Sequence, residues 1–282
     1  MSWSMYLRNL RLRHRQAMQA AGPASLDHSL NLLLGVVCGL LTLILVVTGG
    51  YRAGFETIHD LGRHFPASVL QVLTCTGDTL LAICLSALFA RRQPRVMWMA
   101  VLASGYAALF SLGLKILVHA ARPHVVLGQS LAVIGPELHA QSFPSGHTVT
   151  AFVAAACFSV GAPASARVLF FMLAFAVGAS RVWVGAHWPA DVIAGAAIAG
   201  LSVALAVRTT RATPWGLGLA PHLAFVALVA VAAVAELIRG PVYPQALPLT
   251  VSVALLSLFV LAKDYVFAPL LLRDEAARQA EI

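Results

Sequence analysis

The chain has 282 residues, 60% hydrophobic and only 11% charged, with a formal net charge of +8. Water-soluble domains carry about a quarter charged residues, so a soluble globular enzyme is excluded and a polytopic helical membrane protein is expected. The basic residues are scattered over short loops and form no contiguous stripe, which argues for membrane topology and against a nucleic-acid footprint.

Residues 1–28 form a basic, amphipathic N-terminal segment, and no short apolar core with a cleavage site marks a signal peptide. Eight apolar segments follow, near the ~20 residues that span a bilayer as a helix: 30–50, 67–90, 96–119, 147–162, 167–186, 189–207, 216–238 and 247–267. Between the first two, Phe55, Ile58, Leu61 and Phe65 recur at helical spacing, which predicts a short helix lying in the interface. The chain divides into the N-terminal segment 1–28, a six-helix core 29–207, and 208–282 with two further spans and a short tail. Cys38, Cys75, Cys84 and Cys157 all lie in apolar segments and read as small buried hydrophobes, not as disulfides or metal ligands.

Arginine and lysine placement sets the orientation. With the N-terminus in the cytoplasm, Arg8, Arg11, Arg13, Arg15, Arg91, Arg92, Arg95, Arg167, Arg208, Arg211, Lys263, Arg273 and Arg278 fall on the inner side. Arg52, Arg63, Lys115, Arg122, Arg181 and Arg239 fall on the outer side. Both termini are then cytoplasmic. The excess of arginine over lysine and the alanine-rich spans suggest a GC-rich bacterial source, and the expected location is the bacterial inner (cytoplasmic) membrane.

The polar residues that an apolar bundle should exclude gather on the outer side. Lys115 ends the third span and Arg122-Pro123 follow. Pro144-Ser145-Gly146-His147 open the fourth span. Ser180-Arg181 close the fifth, with His187 and Asp191 at the start of the sixth. Three cations in a low-dielectric site are costly unless an anion neutralises them, and arginine forks match phosphate oxygens. Ser145 is a good N-cap residue, and Gly146 lets the helix N-terminus approach the same anion. Asp191 can reach back to a ring nitrogen of His187 and fix its tautomer. His187 would then attack phosphorus, while His147 protonates the leaving alkoxide and later activates water. The cations supply the charge, so neither a metal nor another cofactor is called for.

These three segments resemble the signature of the type-2 phosphatidic-acid phosphatase superfamily: Lys-x6-Arg-Pro, Pro-Ser-Gly-His and Ser-Arg-x5-His-x3-Asp. Every fixed position is met, over about residues 67–207. The resemblance implies an all-α transmembrane bundle and a metal-independent lipid phosphatase. It gives His187 as nucleophile, Asp191 as its partner and His147 as acid and base, with Lys115, Arg122, Ser145, Gly146 and Arg181 binding phosphate. Its substrates would be phosphorylated lipids held in the bilayer: undecaprenyl diphosphate, phosphatidic acid, phosphatidylglycerophosphate or lipid A phosphate. A phosphotransferase that passes the phosphoryl group to another lipid, and a non-catalytic lipid-binding or transport protein, are the alternatives.

Other polar residues have structural readings. Asp78 in the second span is either a functional acid or a hydrogen-bonded structural one. His119, His124 and His139 read as loop histidines, and His222 and Glu236 as packing or interface residues. Trp183 and Trp188 bracket the site at the outer interface, where indoles commonly sit, and could touch the lipid chain.

Overall fold

A computed structural model of the chain describes residues 3–20, 28–128, 131–137, 139, 141–240 and 242–270. Arg273 and Arg278, the rest of the tail 271–282 and residues 21–27 of the N-terminal segment lie outside the described residues. α1 (Trp3–Ala20) is the basic amphipathic stretch, and α2 (His28–Gly49) is the first span. α3 (Phe55–Gly62) is the short amphipathic helix expected after it. The second apolar segment is three pieces, α4 (Ala67–Cys75), α5 (Thr79–Leu85) and α6 (Ala87–Ala90). Then come α7 (Pro94–Val118), α8 (Pro123–Leu127), α9 (Gly146–Phe158), α10 (Ala164–Trp183) and α11 (Pro189–Ala212). α12 (Leu219–Arg239) and α13 (Leu247–Leu261) complete the bundle, with a π-helical turn over Ala262–Phe267. Among the described residues there is no strand.

Six helices are long and apolar enough to cross a membrane, or seven when a bent pair counts as one span. The count falls short of eight for two physical reasons. The second segment turns by 62° between Cys75 and Thr79. Asp78 causes the restart: its carboxylate accepts from the Leu80 and Leu81 amides and caps α5. This assigns Asp78 a structural role, shared with an ion pair to Arg239 at 3.1 Å. The fourth segment is helical for only 13 residues, α9. At 1.5 Å per residue that is about 20 Å, short of the ~30 Å hydrocarbon core.

Large apolar side chains cover the outside of the bundle. Leu117, Ile238, Val47 and Phe175, from four different helices, are each more than 70% exposed. In water so wide an apolar belt would drive aggregation; in lipid it is the ordinary outer surface. α11 runs through the middle and is largely buried against α2, α7 and α9. Its Ala- and Gly-rich face permits close backbone approach, as membrane helix pairs require. A Cβ on Gly200 would lie 2.6 Å from the Gly35 amide nitrogen and 2.7 Å from the Asn31 carbonyl of α2. Backbone cannot move aside as a side chain can. Gly200→Leu should therefore destabilise the protein by about 1–3 kcal/mol or more, seen as a lower melting temperature in detergent.

α1 lies across one end of the bundle. Asn9 Nδ2 donates to the Pro269 carbonyl at 2.9 Å, and His14 Nε2 is 2.8 Å from the Leu217 carbonyl oxygen. His222 is buried there against the Tyr265 hydroxyl at 2.7 Å, the packing role expected of it. Arg91 and Asp264 pair at the same end, 3.4 Å apart. The polar constellation gathers at the opposite end.

Candidate active site

Four segments converge where α7 ends, α9 begins, α10 ends and α11 begins. The loop after α10 doubles back because the Ala186 and His187 amides both donate to the Arg181 carbonyl, at 3.0 and 3.1 Å. Pro189 then starts α11 with its φ already helical, as expected. Asp191, in that first turn, accepts the Trp188 amide through Oδ2 at 3.0 Å. One carboxylate thereby both caps the helix and faces the ring of His187.

His187 and Asp191 are 2% and 0% exposed. His187 Nδ1 lies 3.2 Å from Asp191 Oδ2. On its other side, Nε2 lies 3.3 Å from Arg122 Nη1. A guanidinium can only donate, so Nε2 carries the lone pair and Nδ1 the proton. That is the tautomer a nucleophilic Nε2 requires. Burial pushes the imidazole pKa down to about 4, with Arg122 and Arg181 pushing the same way and Asp191 opposing. The ring is thus neutral at physiological pH.

Two residues without a sequence signal complete the carboxylate's environment. Ser142 Oγ donates to Asp191 Oδ2 at 2.5 Å and lies 3.3 Å from His187 Nδ1. The Tyr51 hydroxyl, just beyond α2, donates to Asp191 Oδ1. Burial and the adjacent carboxylate raise the Tyr51 pKa, so the phenol stays a donor. Asp191 therefore receives hydrogen bonds from Tyr51, Ser142, His187 and the Trp188 amide.

The three cations converge as expected. Arg122 is 6% exposed, and its Nη1 also donates to the Ala186 carbonyl at 2.9 Å. Lys115 Nζ donates to the Gln141 and Pro144 carbonyls at 3.1 and 3.2 Å, bracing the loop that leads into α9. Arg181, 1% exposed, donates from Nη1 to the hydroxyls of Thr74 and Tyr243, the latter at 2.8 Å. Its Nε is buried without a protein partner. Lys115 feels the charges of Arg122 and Asp191, and Arg122 feels Arg181. Asp191 is the carboxylate among them, so the pocket favours an anion.

α9 points its N-terminus at this cluster. The expected cap differs in detail: the Ser145 side chain makes no capping bond and its Oγ accepts from Thr148 Oγ1 at 2.9 Å. The Ser145 amide donates to the Asp191 carbonyl at 3.0 Å, tying α9 to α11. A Cβ on Gly146 would meet nothing within 4 Å, so open space adjoins the first helical amides. His147, next along, interacts electrostatically with Arg181, His187 and Arg122, and its Nε2 is buried without a hydrogen-bond partner. The bend after α4 abuts it: a Cβ on Gly77 would lie 3.0 Å from the His147 carbonyl oxygen.

All eight candidate residues, Lys115, Arg122, Ser145, Gly146, His147, Arg181, His187 and Asp191, thus gather at one end of the bundle. Ser180 does not join them; its hydroxyl bonds back to the Val177 carbonyl within α10. Trp188 is 1% exposed and cannot contact lipid; its indole donates to the Ala121 carbonyl at 2.8 Å and locks the arginine loop to the histidine loop. His119 ends α7 in the left-handed region at φ 47°; His124 lies on α8 and not in a loop as expected, its ring 5.4 Å from that of His139 in the loop beyond.

A family model described as PAP2 superfamily matches residues 96–215. The chain is 48% identical over 60 residues to a lipid A 1-phosphatase of Rhizobium etli, covering 21% of this chain and 25% of that protein. It is 44% identical over 66 residues to the bacitracin transport permease protein BcrC of Bacillus licheniformis, covering 22% and 30%. The chain therefore spans about a quarter of the length of the curated relatives it matches. Among solved structures it is similar to Aquifex aeolicus LpxE, at 27% identity and TM-score 0.49 over 55% of this chain and 92% of that one. It is also similar to a transmembrane PAP2-type phosphatidylglycerolphosphate phosphatase of Bacillus subtilis, at 24% identity and TM-score 0.48 over 64% and 96%.

Proposed function

We propose, on the premise that residues 96–215 match the PAP2 superfamily model, that the chain hydrolyses a phosphate monoester or diphosphate of a membrane lipid. The observation that carries this reading is the orientation of His187. Its Nδ1–H is held by Asp191, its Nε2 lone pair faces Arg122, and it is buried among cations that an unliganded pocket would not otherwise collect.

The reaction proceeds in two displacements. His187 Nε2 attacks phosphorus as the P–O bond to the lipid breaks, and His147 gives its proton to the leaving oxygen. Charge on the equatorial oxygens is stabilised by Lys115, Arg122, Arg181 and the first amides of α9. Water, deprotonated by His147, then attacks the phosphohistidine and frees His187 and inorganic phosphate. The side chains supply three positive charges for this step, and no metal enters it. The balance of basic residues puts the pocket on the extracytoplasmic face and both termini in the cytoplasm, with the lipid tail remaining in the bilayer.

A panel of lipid A phosphate, phosphatidic acid, phosphatidylglycerophosphate and undecaprenyl diphosphate, read by phosphate release from purified protein, tests this. Turnover of at least one is expected, with competitive inhibition by vanadate. No release from any would refute the reading. Phosphate appearing on an added acceptor lipid instead of in solution would favour the transferase.

The neutral imidazole gives a pH signature. The active form of His187 is unprotonated, and its lowered pKa keeps it so well below pH 6.5. kcat/KM, corrected for the substrate's own ionisation at about pH 6, should hold on the acid side and halve only near the His187 pKa of about 4. A half-point near pH 6.5 would mean that the ring is solvated and not buried.

A further inference from the structure

From the pocket, an apolar cleft of about 350 Å³ descends through the bundle between α5, α7, α9 and α12. Gly146, Thr79 and Ser111 line its upper end, close to the phosphate site. Phe89, Met97, Phe158 and Phe225 line its lower end. The direction is the same along every wall: α9 enters at Gly146 and leaves at Phe158, while α7 and α12 run the opposite way. The floor is packed, with Phe89 edge-on to Phe158 at 5.3 Å and Phe225 stacked on Trp98 at 5.5 Å. None of the described residues lining the cleft is charged. A larger cavity, of about 760 Å³, touches α9 only at Ala156 and so does not connect with Gly146.

From Gly146 to Phe158 the helix rises about 18 Å, against about 15 Å for one leaflet of a ~30 Å hydrocarbon core. We propose that this cleft holds the substrate's acyl chain, that its aromatic floor limits the chain to about one leaflet's length, and that α12, beyond the six-helix core, closes its wall. The inference rests on the phosphatase reading and narrows it: the substrate is a phosphorylated lipid with leaflet-length acyl chains, not a long polyisoprenoid. Phe225, Leu228 and Val229 of α12 all face the cleft, which gives the additional spans a task. α13 packs behind α12 and against α5.

The test measures kcat/KM for phosphate release from saturated alkyl phosphates of short, leaflet-matching and longer chains in detergent, and from a polyprenyl phosphate. Wild type should prefer the leaflet-matching chain over the longer one and over the polyprenyl ester. Ala154→Phe, a plug midway down α9, should lower the ratio of leaflet-length to short-chain kcat/KM by about 10-fold. Phe225→Ala, which opens the floor, should raise the ratio of longer to leaflet-length kcat/KM by a similar factor. A misfolded variant loses all rates together and cannot produce that gain. Ratios unchanged in both variants, or equal turnover of the polyprenyl ester, would overturn the chain-length gauge while leaving the phosphatase intact. Release from no substrate would overturn both.

Discussion

His187→Ala should abolish turnover, with a loss of at least about 10⁴-fold in kcat, the scale seen when a covalent nucleophile is removed. The size follows from the geometry. His187 is the buried neutral base whose free lone pair faces the cation cluster, 3.3 Å from Arg122. The other imidazole, His147, lies at the start of α9 without the carboxylate that orients His187. Binding should survive: Lys115, Arg122, Arg181 and the α9 amides remain, so an inert alkyl phosphonate should bind the variant within several-fold of wild type. Near-normal hydrolysis by His187→Ala would reject the covalent route, and unchanged function of any kind would favour a lipid-binding or transport protein instead.

Asp191→Asn should lower kcat by about 10²–10⁴-fold while moving KM little, because the tautomer is wrong for the job. The carboxylate accepts from Tyr51, Ser142, His187 and the Trp188 amide. A carboxamide replaces one acceptor oxygen by an NH2 donor. If that NH2 faces His187, Nδ1 must accept and the proton moves to Nε2, where it blocks attack. If it turns the other way, it meets the Tyr51 hydroxyl, which must then give up donating to this side chain. In the first case the Ser142 hydroxyl and the Trp188 amide also lose their acceptor, and in the second the Tyr51 hydroxyl does, so at least one buried donor is left unpaired either way, at a cost in stability of about 1–3 kcal/mol or more. Kinetics with a melting curve on the same sample separates the two effects: full activity in a less stable protein would show that the carboxylate only caps α11.

The motif residues were legible because each is a charge or imidazole where an apolar bundle tolerates none, and their spacing put them at helix ends. Tyr51, Ser142, Thr74 and Tyr243 were not. Hydroxyls are ordinary at interfaces, and each reaches the site from a segment outside the motifs, so only tertiary packing reveals them. Tyr243 shows this most clearly, since it joins Arg181 from the loop between the last two spans. Hydropathy overcounted continuous spans for a related reason. It sums apolarity and is blind to breaks, although Gly77-Asp78 carries a helix-cap signal that could have marked the bend in the second segment. The shortness of α9 follows from its end at Phe158, where Ser159 to Pro163 form the turn into α10. Trp188 turns away from lipid: an indole near a membrane surface has two uses, and only burial separates an interfacial anchor from a tether between loops.

The most direct test of the account is rapid acid-free quenching of the enzyme with a phosphate-labelled lipid, followed by mapping of the label. A stoichiometric, acid-labile phosphoryl group is expected on His187 in wild type, accumulating in Asp191-intact enzyme when His147→Ala slows its hydrolysis. Steady release of phosphate with no label on His187 at any time, in either protein, would contradict it.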